Sequence, residues 1–307
     1  MDSSFWKGKR VLLTGHTGFK GSWLSILLLS LGSKVYGYAL NPVGHLNLFD
    51  SLGLPRNSTS KTSGCGELYE EFNHHEGDIN NKDSLSEYVS KACPDICIHL
   101  AAQPLVRKSY QFPLETWQTN VIGTLNLLEG IRSCMKKCVV VVVTTDKVYK
   151  NNEWDFGYRE NDALGGLDPY SASKSACEIA VSSWRESFAF SDGCSIAVST
   201  ARAGNVLGGG DWSEDRLVPD AIKALHNLEP IQLRNPNSTR PWQHVLEPLF
   251  GYLTLAEKMF FDQHRFSTSF NFGPDSDANQ SVSMLVHEML KHWDGTCQQI
   301  QEKNPPH

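Results

Sequence analysis

The sequence predicts an α/β fold built on a doubly wound parallel sheet, and three observations carry that expectation. Strand-like and helix-like segments alternate from Arg10 to about Ala201. Val139 to Val143 are consecutive valines, an unbroken β-branched run that suits a strand buried on both faces. "TGHTGFKG" sets Gly15, Gly18 and Gly21 three apart, between the first strand and the first helix.

The elements follow in order. "RVLLTG" is a short strand, and "SWLSILLLSLG" is a helix that stops at Gly32, a residue suited to the left-handed position after a helix. "KVYGYAL" is a second strand and "EEFNHHEGDI" contains a third, followed by a helix in "SLSEYVSKA". "DICIHLAA" is a fourth strand, "TNVIGTLNLLEGIRSC" a helix, and the valine run a fifth strand. Leu54 to Gly66, rich in Pro, Ser, Thr, Asn and Gly, is expected to be a mobile surface loop. After Ala201 the alternation weakens and Gly, Pro and Trp become frequent. The division expected is 1–201 for a dinucleotide-binding domain and 202–307 for a smaller substrate lobe.

Composition narrows the function. A chain of 307 residues can bury roughly 75% of its unfolded surface, enough for two lobes. The net charge of −6, with no basic block, argues against a nucleic-acid or anionic-membrane partner. The longest apolar run is far too short to span a bilayer. The eight cysteines lack zinc-ligand spacing, so no metal is expected and they read as reduced thiols of a cytoplasmic protein. Asn57 and Asn237 begin Asn-x-Ser/Thr triplets, but no secretory signal precedes them.

The glycine turn has a physical reading. Gly15 permits the tight turn, Gly18 lets a pyrophosphate approach the backbone, and Gly21 lets helix and strand pack closely. The helix N-terminus then offers free N–H groups and the positive end of a dipole. Choice of cofactor is less direct: the second strand ends at Asn41, neither the acid that selects ribose hydroxyls nor the arginine that favours a 2′-phosphate.

The valine run ends on Thr144, Thr145, Asp146 and Lys147, at the carboxyl end of a strand, where ligands bind in open parallel sheets. In "DPYSASK", Tyr170 and Lys174 stand four apart, on one face of a helix. A tyrosine base needs its pKa lowered from about 10 toward about 7, roughly 4 kcal/mol, which a nearby ammonium favours. Thr145 precedes Tyr170 by 25 residues.

Together with the glycine spacing, these residues resemble the Ser/Thr-Tyr-Lys triad of the short-chain dehydrogenase/reductase superfamily. "AAQPLVRKSY", "RAGNVLGGGDW", "RPWQHVLEP" and "NFGP" extend the likeness over nearly the whole chain. It is to the extended-type sugar-nucleotide 4,6-dehydratases, and within them to the branch acting on CDP-glucose. The resemblance implies a Rossmann fold, bound NAD, a nucleotide-sugar substrate and a homodimer through the helices "TNVIGTLNLLEGIRSC" and "YSASKSACEIAVSSWRESF". It implies a catalytic set of Thr145, Asp146, Lys147, Tyr170 and Lys174. Cofactor contacts are implied for Gly15, Thr17, Gly18, Phe19, Gly21, Asp78, Ile79, Ala101, Ala102 and Gln103, besides Tyr170 and Lys174. Asp78 resembles the acid that meets adenine, and the two alanines are small enough for the cofactor to lie across them. Arg240 is implied at the substrate diphosphate, with Asn205, Arg216, Arg234 and His244 as further substrate-binding candidates.

Lys147 stands where dTDP-glucose relatives have a glutamate base. It is either a neutral base, directly or through water, or a cation that stabilises the enolate. Two other readings stay open: a 4-epimerase, which has no need of Asp146, and a dinucleotide-binding protein without catalysis. The chain ends at "QEKNPPH", earlier than the resemblance leads one to expect, so a final part of the substrate lobe is expected to be missing.

Overall fold

The valine run occupies an inner strand of a seven-stranded sheet. The computed structural model describes residues 2–44, 46–55, 69–190 and 195–300. Strands β1 (Arg10–Thr14), β2 (Lys34–Ala39), β3 (Phe72–Glu76), β4 (Ile96–His99), β5 (Cys138–Val143), β6 (Ile196–Ala203) and β7 (Ser269–Phe272) are ordered β7-β6-β5-β4-β1-β2-β3. Every neighbouring pair is parallel. In β5, Val139, Val141 and Val143 enter one apolar core, while Cys138, Val140 and Val142 enter the other. The period-two alternation of a strand thus feeds two buried faces, which is why no polar alternation is written into it.

One face carries α1 (Phe19–Ser30) and the other carries α2 (Lys82–Ala92), α3 (Thr124–Ser133) and α4 (Pro169–Phe188). Gly32, just past α1, has φ +77 and returns its N–H to Leu29 O, the helix stop expected of it. The helix around α3 departs from expectation. It begins at Pro113 and passes through a π turn, Gln118–Gly123, before α3 proper. Asp168 caps α4 through the N–H groups of Tyr170 and Ser171, with Pro169 at the first helical position.

The second lobe is not a simple C-terminal block. A cut at residue 201 falls inside β6, whose last residues still pair with β7. Two later elements return to the first lobe: α6 (Leu246–Phe261) packs into the core that α1 uses, and β7 closes the sheet edge. What remains outside carries its own small core of Ala221, Leu225, Ile231, Leu233 and Val286, shared by α5 (Leu217–His226), the strand Ile231–Leu233 and α7 (Val282–Leu290). The loop expected over Leu54 to Gly66 lies, beyond Pro55, outside the described residues. No helix among the described residues is long and apolar enough to cross a membrane.

Candidate active site

The strand order reverses at β1, whose neighbours are β2 and β4, and the crevice of such a sheet opens where those carboxyl ends part. Gly15 sits there with φ +72, and a Cβ on it would lie 2.7 Å from Ala101 N. A Cβ on Gly21 would lie 2.2 Å from Gly15 O, so helix and turn touch. Gly18 differs. It caps α1 from extended backbone, and an added Cβ would meet only Gly15 O at 3.4 Å, so the side-chain space above it is open. Open space in front of a helix N-terminus is the cradle a diphosphate needs, and on this the turn fits a dinucleotide.

The neighbouring cofactor candidates divide. Thr17 donates to Leu40 O (2.8 Å), tying the turn to the end of β2. Phe19 is half-buried and its ring lies beneath Gly208, 3.1 Å from a Cβ placed there. Asp78 is exposed just after β3 and accepts from Asn80 N, while Ile79 is buried. Ala101 and Ala102 are half-exposed along the crevice. Gln103 is placed differently. Its amide is buried, with Oε1 accepting from Leu105 N and Nε2 donating to Leu105 O and Thr116 Oγ1. That side chain shapes the loop after β4.

The catalytic candidates do come together. Thr145 and Tyr170 are both buried and near enough for the threonine hydroxyl to act on the phenol, and Thr145 Oγ1 donates to Asp146 Oδ1 at 3.0 Å. Asp146 begins a short 3-10 turn after β5 and faces Gly204, where a Cβ would come within 3.0 Å of Oδ2. Lys174, one turn along α4 from Tyr170, donates to Val143 O at 3.2 Å. The phenol itself is not lowered. Burial pushes Tyr170 up to about 12, with Asp146 and Asp168 adding to it and Thr145 and Arg216 opposing. A base at neutral pH therefore needs positive charge near this phenol to offset its burial.

Lys147 is exposed as a residue, yet protein crowds its ammonium. Burial is the largest cause of its lowered pKa; Asp146 and Asp168 oppose, while Arg240 and Arg216 add to the lowering. Arg216 and Arg240 therefore lie near enough to act on the Lys147 ammonium. Arg216 also pairs with Asp211 (3.2 Å), and Arg240 donates to Thr239 O. Arg234 stands one step off, sharing Asp215 with Arg107 of the first lobe at 3.0 and 3.3 Å. Asn205 follows Gly204, the residue that faces the Asp146 carboxylate, and is half-buried. His244 is exposed, edge-on to Trp23 of α1, and its Nδ1 accepts from Leu246 N, so its neighbours belong to helix packing.

Three groups were not singled out in the sequence. Lys20, in the first turn of α1, feels Arg216, Lys174, Asp146 and Asp211; burial first, then those cations, push its ammonium down to about 8. A charged residue inside the glycine turn was the available signal. Asn120, in the π turn, is buried and bonds Gln103 N and O and Ser173 Oγ, locking that turn to α4. Tyr252 of α6 buries a hydroxyl without a partner among the described residues, near Asp146 and Tyr170. No cluster of metal-ligating side chains occurs among the described residues.

Comparison with known proteins agrees with this geometry. The family model described as GDP-mannose 4,6 dehydratase matches residues 12–287. The chain is 43% identical, over its whole length and 83% of the relative's, to the CDP-glucose 4,6-dehydratase of Salmonella typhimurium. In fold it is similar to a UDP-N-acetylglucosamine 4-epimerase from Methanobrevibacter ruminantium (TM-score 0.79, 21% identity, covering 98% of this chain and 87% of that one). It is likewise similar to a dTDP-glucose 4,6-dehydratase from Bacillus anthracis solved with NAD (TM-score 0.74, 20% identity, covering 96% and 85%). The chain belongs to the GDP-mannose 4,6-dehydratase family, sugar-nucleotide dehydratases of the extended short-chain dehydrogenase/reductase type.

Proposed function

We propose that the protein dehydrates CDP-glucose to CDP-4-dehydro-6-deoxyglucose and water, with NAD as a recycled cofactor. One observation carries this: a strand end bearing Thr145, Asp146 and Lys147 faces Tyr170, with Arg216 and Arg240 alongside. Identity of 43% over the whole chain to a CDP-glucose 4,6-dehydratase supports the choice of sugar nucleotide. The glycine turn, Asp78 and the two alanines would hold NAD, which supplies a hydride acceptor for C4 and a hydride donor for C6. Tyr170 as phenolate takes the proton of the glucose 4-hydroxyl, which Thr145 orients. Lys174 and the cofactor's positive charge would both favour that phenolate. The resulting 4-ketone acidifies the C5 proton. Lys147 removes that proton while Asp146 protonates the departing 6-hydroxyl, and the protonated lysine would return a proton to C5 as C6 takes up hydride. Arg240 and Arg216 bind the diphosphate, for which a guanidinium fork is suited.

Asp146 separates this reading from a 4-epimerase, whose chemistry leaves an acid at that position without work. The test is incubation with NAD and, in turn, CDP-glucose, UDP-glucose, dTDP-glucose and GDP-mannose. A 4-keto-6-deoxy sugar from CDP-glucose is expected; a C4 epimer without a ketone contradicts the proposal.

The protein is also proposed to be a homodimer through the helical face that runs from Pro113 through α3 and across α4. That face exposes Leu114 (84%), Trp117 (40%), Ile122 (43%) and Ile179 (60%), more apolar surface than a solvated helix pair usually shows. Sedimentation should give twice the chain mass, and Ile179→Glu should give the monomer. A monomeric wild type contradicts this.

A further inference from the structure

Glu178 and Arg202 form a fully buried ion pair at 2.8 Å, their side chains 1% and 3% exposed, and no step above uses it. Burying two charges is costly, and such a pair is poor evidence of stabilisation by itself. What it holds is more informative. Glu178 lies on α4 one turn beyond Lys174 and two beyond Tyr170, on the same stripe. Its carboxylate accepts from four donors on three strands. These are Thr144 Oγ1 at the end of β5, Thr200 Oγ1 (2.7 Å) and Arg202 Nη2 (2.8 Å) on β6, and Ser269 Oγ (3.3 Å) on β7.

The other arm of the guanidinium reaches past the catalytic turn. Arg202 Nη1 donates to Tyr149 Oη (2.8 Å) and to Glu160 O (2.9 Å). Tyr149 Oη in turn donates to Asn271 Oδ1 (2.6 Å), and Asn271 holds Tyr158 O through Nδ2 and Glu160 Oε1 through its N–H. The two arms therefore bracket Thr145, Asp146 and Lys147. Thr144, just before the triplet, is held by Glu178, and Tyr149, just after the turn, is held by Arg202.

We propose that Glu178 and Arg202 are positioning residues. They clamp the Thr145–Lys147 turn at both ends and keep it in register with Tyr170 and Lys174 on α4. The inference rests on the dehydratase chemistry proposed for those residues. A pair that served stability alone would show in unfolding and leave the rate per folded molecule unchanged.

Thr144→Val and Tyr149→Phe remove the two hydroxyls through which the clamp acts, while Glu178, Arg202 and every catalytic side chain keep their identity. Each variant with its NAD is to be mixed with CDP-glucose, following transient NAD reduction, steady-state kcat and KM, NAD affinity by fluorescence, and thermal unfolding. Thr144→Val is expected to slow NAD reduction about tenfold or more, since misplacement of about 1 Å can cost 100-fold. KM and NAD affinity should stay within about threefold, well short of that loss in rate. Thr144→Ser, which keeps the hydroxyl, should stay near wild type. The clamp is overturned if Thr144→Val and Tyr149→Phe lower the unfolding temperature while the rate per folded molecule matches wild type. Should Thr144→Val not fold, Tyr149→Phe carries the same expectation and the same contradiction. A wild type that neither reduces NAD nor dehydrates CDP-glucose contradicts the dehydratase reading on which the clamp rests. An active wild type with unimpaired variants contradicts only the clamp.

Discussion

Tyr170→Phe should lower turnover of CDP-glucose by about 10²–10⁴-fold, the range a positioned proton-transfer group contributes. The substitution deletes one oxygen from a ring that is 8% exposed, so the packing of α4 against β5 survives. The loss should fall on the first step. Without the phenolate nothing takes the 4-hydroxyl proton, C4 stays unoxidised and no ketone forms to acidify C5. NAD binding should stay within a few-fold of wild type, because the glycine turn and the crevice at Ala101 are untouched. The measurement pairs product formation with NAD titration. A variant that binds NAD and turns over at the wild-type rate removes Tyr170 from its role.

Lys147→Met should have the second largest effect, and at a different step. Methionine approximates the length of the lysine stem and cannot accept a proton. Oxidation at C4 should proceed and elimination should stall, so enzyme-bound NADH should appear with substrate and persist, while product formation falls by about 10²–10⁴-fold. The pH dependence carries a sign. Burial, together with Arg240 and Arg216, lowers the Lys147 pKa against the opposing pull of Asp146 and Asp168. The neutral amine fraction rises with pH, so a lysine base predicts exchange of the C5 proton that increases as pH climbs through that lowered pKa. A lysine that works as a cation predicts the reverse, exchange that declines over the same rise. Wild-type exchange at C5 in Lys147→Met rules the side chain out of proton removal.

What the sequence disclosed was the part written in local signals. The valine run showed an inner strand because each of its faces meets its own apolar core, leaving no wet side to mark with polar residues. Gly15 and Gly21 were legible because backbone approaches of 2.7 and 2.2 Å leave no room for a side chain. Tyr170 and Lys174 were legible because a helix brings residues four apart together. Features that depend on distant partners were not. The return of α6 rests on packing into the core that α1 uses, and that of β7 on pairing of Ser269–Phe272 with β6, far away in the chain. Gln103 stood in a cofactor motif, but Leu105 and Thr116 occupy its amide. His244 stood among substrate candidates, but its ring lies against Trp23. The phenol of Tyr170 is pushed up to about 12, because burial acts on it more strongly than any one neighbour, and the sequence does not show how deeply a side chain is buried. Lys20 went unread because nothing in a phosphate-binding turn says where a lysine in it will point.

The claim at the centre is that one hydride leaves C4 and returns to C6 of the same sugar. CDP-glucose deuterated at C4, incubated with the protein and NAD in ordinary water, tests it directly by mass spectrometry and NMR of the product. The deuterium should appear in the C6 methyl group of CDP-4-dehydro-6-deoxyglucose, without accumulation of free NADH. Deuterium retained at C4, or carried off in NADH released in proportion to substrate, would contradict it.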